Sequence, residues 1–138
     1  MTPIRKIAFE VIIPNSIKPL PDKYEMSVAR ILSKEFQSDI RFIERSSIKT
    51  PDIQVVSTGE YWEIKNIKGN GKLTIEDNLR RASKQANNVV IGLLRSTMTP
   101  EKASSHITWY LKHAHANIKH VILITKRGRA IDFYTWAC

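Results

Sequence analysis

Residues 51–65 read PDIQVVSTGEYWEIK and contain two short runs that are typical of β-strands. Ile53–Ser57 is apolar and rich in β-branched residues, whereas Tyr61–Lys65 alternates in polarity. Gly59 lies between the two runs, and a glycine in so short a connection is typical of a tight hairpin. The rest of the chain can be organised around this predicted hairpin.

The hairpin also concentrates charged side chains that could bind a cation. Asp52 enters the first strand, and Glu63 and Lys65 leave the second strand on one face, because side chains alternate along a strand. Folding the strands together could place Asp52 beside that pair. Mg²⁺ takes oxygen ligands, often one or two carboxylates plus a substrate phosphate, so we predict a divalent-cation site. The alternative is an exposed ion pair between Glu63 and Lys65, worth about 0.2–1 kcal/mol.

Length and composition predict one globular domain. The chain has 138 residues, with 42% hydrophobic and 25% charged residues, which is ordinary for a globular protein of this size. We assign residues 1–21 to an N-terminal lead-in and 22–138 to the domain. No apolar run approaches the roughly 20 residues that cross a bilayer, so we expect no stable membrane association. The lone cysteine, Cys138, excludes an intramolecular disulfide.

The net charge of +9 is confined to the second half of the chain. Residues 1–64 contain nine basic and nine acidic side chains, whereas residues 65–138 contain thirteen basic and four acidic ones. The excess begins at Lys65, directly after the proposed acidic site. Such asymmetry indicates either a polyanionic partner, meaning nucleic acid or an acidic protein, or a well-solvated basic surface.

Hydrophobic periodicity predicts an α/β protein, with a sheet that carries helices on its faces. The predicted order is helix, strand, hairpin, helix, strand, helix, strand, strand, and residues 7–13 could form either a strand or a helical turn. Outside the hairpin, the predicted helices span residues 22–36, 74–86 (capped by Thr74) and 99–116, and the predicted strands span 39–45, 88–94, 121–125 and 131–136. Trp62, Trp109 and Trp136 are all predicted to lie in the core.

Two helices carry further candidate residues. Glu25 falls near the middle of the apolar face of the first helix, where a carboxylate needs a partner, a metal or water. Its alternative role is in a capping box with Asp22; Glu35 is a second candidate. The second helix and its flanks present polar side chains that could contact phosphates or merely be solvated. These are Lys68, Lys72, Arg80, Arg81, Lys84 and Gln85.

The pattern Pro51-Asp52, ten residues, then Glu63-Ile64-Lys65, after a helix with Glu25, resembles the PD-(D/E)xK nuclease superfamily. That resemblance implies a single-domain restriction-endonuclease-like fold with an αβββαβ core, a central mixed sheet flanked by helices. Residues 50–91, from TPDIQ to NNVVI, also resemble the C-terminal nuclease domain of contact-dependent growth inhibition toxins of Gram-negative bacteria. The resemblance covers roughly residues 22–125.

These resemblances imply metal-assisted phosphodiester hydrolysis. Asp52, Glu63 and the carbonyl of Ile64 would hold Mg²⁺, with Mn²⁺ or Zn²⁺ as alternatives, and Glu25 would bind a water of that ion or a second ion. Lys65 would orient the attacking water or stabilise the transition state. The basic residues named above would neutralise flanking phosphates, and Gln85 would touch substrate or brace a carboxylate.

The same resemblances imply partners and a location. The substrate would be nucleic acid, with tRNA favoured over DNA, and a cognate, acidic immunity protein would neutralise the domain. The domain would be the C-terminal part of a secreted or cell-surface toxin that acts in the target-cell cytoplasm. Two alternatives stay open: a DNase of the same fold, acting as a toxin or as a mobile-element or restriction enzyme, and a non-catalytic nucleic-acid-binding module.

Overall fold

A computed structural model describes residues 8–45, 49–114 and 117–135. Within these residues a seven-stranded sheet is flanked by helices, which confirms the predicted α/β class. The chain forms its elements in the following order: β1 (Val11–Ile12), α1 (Lys23–Phe36), β2 (Ile40–Phe42), β3 (Ile53–Val55), β4 (Tyr61–Asn66), α2 (Thr74–Ala82), β5 (Asn88–Gly92), α3 (Pro100–His113), β6 (His120–Ile124) and β7 (Ala130–Tyr134).

The strands are arranged across the sheet in their sequence order, and their directions are mixed. The hairpin β3–β4 is antiparallel, as predicted, and Ile53 pairs with Trp62. β4, β5 and β6 are mutually parallel, because α2 and α3 return the chain between them, and β7 closes the sheet antiparallel to β6. The run α1-β2-β3-β4-α2-β5 therefore has the predicted αβββαβ order.

Each face of the sheet has its own hydrophobic core. One face packs against α1, which buries Val28, Ala29 and Leu32 over strand residues such as Ile40 and Trp62. The other face packs against α2 and α3. Its buried residues include Ile75, Leu79, Ala103, Ile107, Val89 and Ile91. β5 contributes to both cores, which explains its continuous apolar sequence, since a strand buried on both faces needs apolar side chains at every position.

The described residues that precede α1 add to the sheet. β1 pairs in parallel with β2, and Ile17 is buried in the core on the α1 face. The sequence predicted either a strand or a helical turn for residues 7–13. The described part of that segment contains a two-residue strand. No helix in the described segments is long and apolar enough to span a bilayer.

The boundaries of α2 differ from the prediction at both ends. Its N-cap is Leu73, and the hydroxyl of Thr74 instead accepts a hydrogen bond from the Gly71 N–H at 3.0 Å. Thr74 was therefore wrongly predicted as the cap, because its side chain closes the preceding glycine turn. The helix ends at Ala82 rather than at residue 86, and residues 83–85 form a turn.

The prediction for the tryptophans is right at Trp62 and wrong at Trp109. Trp62 is fully buried, whereas Trp109 is 51% exposed. In α3 the buried residues Ala103, Ile107 and Tyr110 follow helical spacing, and Trp109 lies two residues from Ile107, on the opposite side of the helix. Its indole stacks on His113 at the surface. Trp136 lies outside the described residues.

The remaining boundaries shift by a few residues. β2 is shorter than the predicted 39–45, β5 ends at Gly92, and α3 ends at His113. β7 begins one residue before the predicted strand. These shifts do not change which elements surround the hairpin.

Candidate active site at the β3–β4 hairpin

The Asp52 side chain lies where the antiparallel pairing of β3 with β4 ends. The Asp52 N–H donates to the Trp62 carbonyl at 3.1 Å, and Asp52 Oδ2 accepts from the Ile64 N–H at 2.8 Å. The carboxylate therefore extends the ladder by one bond beyond the strand. Since the N–H and C=O of a strand residue point to the same side, the Ile64 carbonyl is directed towards the same edge as Asp52.

Glu63 is almost completely buried on the face that packs against α2 and α3. Its side chain is 3% exposed, and Oε2 lies 3.3 Å from Lys65 Nζ. Glu63 Oε1 is buried without a hydrogen-bond partner. Burial, followed by the charge of the nearby Asp52 carboxylate, raises the pKa of Glu63 to about 8, although Lys65 opposes this shift. Asp52, Glu63 and Lys65 are thus brought together as predicted.

This arrangement fits a divalent cation better than an exposed ion pair. A buried oxygen without a partner costs about 1–3 kcal/mol, and a second carboxylate beside it adds repulsion that a cation would remove. Among the described residues, no group of three or more His, Cys, Asp or Glu side chains is placed to hold a metal. The two carboxylates and the Ile64 carbonyl would therefore need water or a substrate phosphate as further ligands, which Mg²⁺ commonly uses.

Glu25 adopts the capping-box role that was one of the two alternatives for its sequence position. The capping box is present: Glu25 Oε1 accepts from the Asp22 N–H at 3.1 Å, and Asp22 Oδ1 accepts from the Glu25 N–H at 2.8 Å. Burial raises the pKa of Glu25, and the charges of Asp22 and Asp52 add to this effect. Glu25 therefore lies within electrostatic reach of Asp52, at the edge of the site.

Arg45 is a neighbour of the site that the sequence did not reveal. Its guanidinium lies 3.2 Å from Glu25 Oε2, and its own side chain is 41% exposed. Arg45 follows β2, twenty residues from Glu25 in the sequence, and no local pattern links the two. Only the packing of α1 against β2 brings them together.

The predicted phosphate-binding residues lie along α2 and the segments that flank it. Lys68, Lys72, Arg80, Arg81 and Lys84 are exposed. Arg80 is paired with Asp77, one turn away on the helix. Gln85 Nε2 donates to the Thr50 carbonyl at 3.5 Å, so its amide braces the backbone that leads into Pro51-Asp52.

Two further polar residues of β4 flank the Glu63–Lys65 segment in the sequence. Asn66 Oδ1 is buried without a partner and lies over Gly92, where any Cβ would stand 2.2 Å from that oxygen. Tyr61 is 49% exposed at the start of the strand. Strand alternation places Tyr61 on the face of Glu63 and Lys65, and this was the available signal for its position.

Comparisons with known proteins identify the family. The family model described as "Contact-dependent growth inhibition CdiA C-terminal domain" matches residues 49–130, more than half of the chain. The match begins just before Asp52 and ends at the start of β7. A search of curated protein sequences finds no match.

A solved structure shares the fold. It is a chain from the "CdiA-CT/CdiI toxin and immunity complex from Burkholderia pseudomallei", and it superposes with a TM-score of 0.62 at 18% sequence identity. The alignment covers 92% of this chain and 99% of that chain. At this identity the similarity concerns the fold, and the architecture described above is therefore one that an experimentally solved protein also adopts.

Proposed function

This chain belongs to the family of CdiA C-terminal domains of contact-dependent growth inhibition, and we propose that it acts as a metal-dependent nuclease. As a member of that family it is the toxin part of a secreted, cell-surface protein that acts in competition between bacteria. The proposal concerns the chemistry: hydrolysis of phosphodiester bonds, with tRNA as the favoured substrate.

The observation that carries this proposal is the state of Glu63. A buried carboxylate with one unpaired oxygen, beside a second carboxylate, is unfavourable in the protein alone. Perturbed acids of this kind concentrate at functional sites. Here the ammonium of Lys65 and the directed carbonyl of Ile64 complete the donor set that a phosphodiesterase needs.

Each residue has a distinct role in the proposed chemistry. Asp52, Glu63 and the Ile64 carbonyl would hold the cation, which supplies charge neutralisation at the scissile phosphate and acidifies a water molecule. Lys65 contacts Glu63 at 3.3 Å in the free protein and would turn its positive charge to the phosphate oxygens as they gain charge. Glu25 is held by Asp22 and Arg45 and would orient the attacking water from the α1 side.

We further propose that a cognate immunity protein binds this domain. The solved neighbour comes from a complex of a toxin with its immunity protein, and the second half of this chain has a net charge of +9. An acidic partner would complement that charge and attach rapidly, because opposite potentials steer association. Weak or absent binding by the product of the adjacent small reading frame would contradict this partner.

The test of the nuclease is a pair of incubations with purified protein, one with total RNA and one with plasmid DNA. We expect cleavage of RNA in the tRNA size range that EDTA stops and added Mg²⁺, Mn²⁺ or Zn²⁺ restores. Preferential cleavage of the plasmid would show that the same site acts as a DNase and would contradict the proposed RNA substrate. Tight binding without cleavage in any cation would leave only the non-catalytic module.

A further inference from the structure

A shallow depression lies next to the proposed site, between the turn that follows α2 and the start of β4. Its volume is about 410 Å³, and its lining combines an aromatic ring with side-chain amides and a cation. The lining residues that matter here are Pro51, Tyr61, Lys84, Gln85, Asn87 and Asn88. None of the site chemistry described above uses the Tyr61 ring or the Asn87 amide.

We infer that this depression binds an unpaired nucleobase, which stacks on the ring of Tyr61 and hydrogen-bonds to the amides beside it. An exposed aromatic ring at a strand start provides the flat apolar surface on which bases of single strands stack. Side-chain amides carry both donors and acceptors, so they suit the edge of a base that has no pairing partner. Lys84 lies on the same rim, where a backbone phosphate would be neutralised.

The amides are held in place by contacts that leave them available to a ligand. Asn88 Nδ2 donates to the Tyr61 carbonyl at 3.2 Å, which fixes the amide beside the strand that carries the ring. Gln85 donates to the Thr50 carbonyl, so the turn is tied to the segment leading into the site. Asn87 is exposed, and its backbone carbonyl accepts from the Lys119 N–H at 2.7 Å. The backbone is therefore anchored while the Asn87 side chain faces solvent.

Two residues that line the depression are close neighbours of the proposed catalytic carboxylates along the chain. Pro51 immediately precedes Asp52, and Tyr61 precedes Glu63 by two residues on the same strand face, a rise of roughly 6.7 Å. A base stacked on Tyr61 would thus belong to a nucleotide adjoining the bond that is cut. The inference rests on the proposed nuclease function for this assignment, and it would make Tyr61 the residue that restricts cleavage to unpaired regions.

The experiment measures binding in EDTA, where no cation-dependent hydrolysis takes place. Fluorescence anisotropy would compare a labelled single-stranded RNA, the same sequence as single-stranded DNA, and the corresponding RNA duplex. We expect Tyr61→Leu to weaken binding of the single-stranded RNA about 5- to 150-fold, the range for losing one stacked base. Tyr61→Phe should keep the affinity, because it keeps the ring. A matching loss with single-stranded DNA would extend the subsite to both sugars, and a loss confined to RNA would assign it to RNA.

Two further variants keep the result interpretable. Tyr134→Leu removes a tyrosine of similar exposure from β7, and it should bind all three probes like the wild type. Asn87→Ala changes an exposed amide and should weaken single-strand binding by about 5-fold, the effect of one hydrogen bond. Duplex binding should be the same for every variant, because paired bases cannot enter the depression.

The outcomes separate this inference from the nuclease. Unchanged single-strand binding by Tyr61→Leu, or equal losses on single strand and duplex, would overturn the subsite even if RNA is still cut in Mg²⁺. A loss of single-strand binding in a protein that cleaves no nucleic acid would support the subsite and refute the nuclease. Failure of the wild type to bind any single strand would overturn the subsite.

Discussion

Two acid–base pairs on the same sheet, Glu63–Lys65 and Asp132–His120, differ in how far solvent and hydrogen-bond partners compensate the acid. On β4, Glu63 is 3% exposed, one of its oxygens lacks a partner, and Asp52 adds a like charge. Between β6 and β7, His120 Nε2 lies 2.7 Å from Asp132 Oδ1, and the Asp132 side chain is 50% exposed. The His120 ring also packs between Tyr134 and the edge of Trp62.

The contrast separates a structural pair from a candidate functional one. Solvent and packing account for the His120–Asp132 pair, because the acid keeps its hydration and the ring is held between aromatic rings. The Glu63 carboxyl group has lost its hydration and one of its oxygens has no hydrogen-bond partner. A bound ligand such as a cation would offset the free-energy cost of that burial. The predictions below compare substitutions at the buried Glu63 site with control substitutions elsewhere, chiefly at the His120–Asp132 pair.

The largest expected effect follows from removing the charge of Asp52. Asp52→Asn keeps an oxygen that can accept from the Ile64 N–H but removes a cation ligand, so we expect cleavage to fall on the order of 10³-fold. Initial rates on RNA in saturating Mg²⁺ measure this loss. Asp132→Asn is the matched control and should cleave like the wild type. Equal activity of Asp52→Asn and the wild type would remove Asp52 from the site.

A somewhat smaller loss is expected from Lys65. Lys65→Met keeps the length of the side chain without its charge, and loss of one preorganised positive group costs roughly 10²- to 10³-fold in rate. The measured quantity is kcat, since the charge acts mainly on the transition state. His120→Gln, which changes the base of the other pair, should leave kcat unchanged. If both variants lost activity equally, general destabilisation would explain the result.

The raised pKa of Glu63 predicts how stability depends on pH. Between about pH 4.5 and 8, the folded state keeps a proton on Glu63 that the unfolded state has released. The free energy of unfolding of the cation-free protein should therefore fall as pH rises through this window, by about 1.4 kcal/mol per pH unit from this group. Urea unfolding at a series of pH values measures the slope.

Variants assign that slope to the buried pair. Glu63→Gln should remove its share of the slope and make the cation-free protein more stable than the wild type above pH 8. A wild-type slope in Glu63→Gln would show that Glu63 is ionised throughout, contrary to the burial described above.

The smallest effect concerns the exposed cations around α2. If Arg81 contacts a phosphate, Arg81→Ala should reduce the slope of log affinity against log salt by about 0.7–0.9. Arg127→Ala, in the exposed turn between β6 and β7, is the matched control and should keep the slope. Equal changes in both variants would indicate a diffuse field over the basic half rather than a track along α2.

Much of the fold could be predicted because local patterns and tertiary packing agree. The apolar run of β5 reports burial on both faces directly, and the alternation in Tyr61–Lys65 correctly places Trp62 and Ile64 in the core, although it does not reveal that Glu63 is buried as well. Asp22 and Thr99 cap their helices because each offers a side-chain oxygen to a backbone N–H three residues later. Thr74 carries the same local signal, but the Gly71 turn competes for its hydroxyl and wins.

The candidate site was predictable only in part. Asp52, Glu63 and Lys65 could be predicted because they lie within one hairpin. Strand alternation and the antiparallel pairing of its two strands determine where their side chains lie. Arg45 and Asn87 lie on different elements, and no spacing rule relates them to the hairpin. Trp109 was wrongly predicted to be buried: its residue type suggested a core position, but its position around the helix places it on the surface.

The sequence by itself determined the hairpin, the identity of its charged residues and the basic second half, because these depend on residue type and on periods of two and 3.6. Tertiary structure alone decided that Glu63 is buried while Asp132 is not, and that Tyr61 lies open beside the turn after α2. Burial depends on which elements cover a residue, here the packing of α2 and α3 on one face of the sheet. The resulting loss of solvent turns an ordinary carboxylate in Pro51–Lys65 into one with a pKa of about 8.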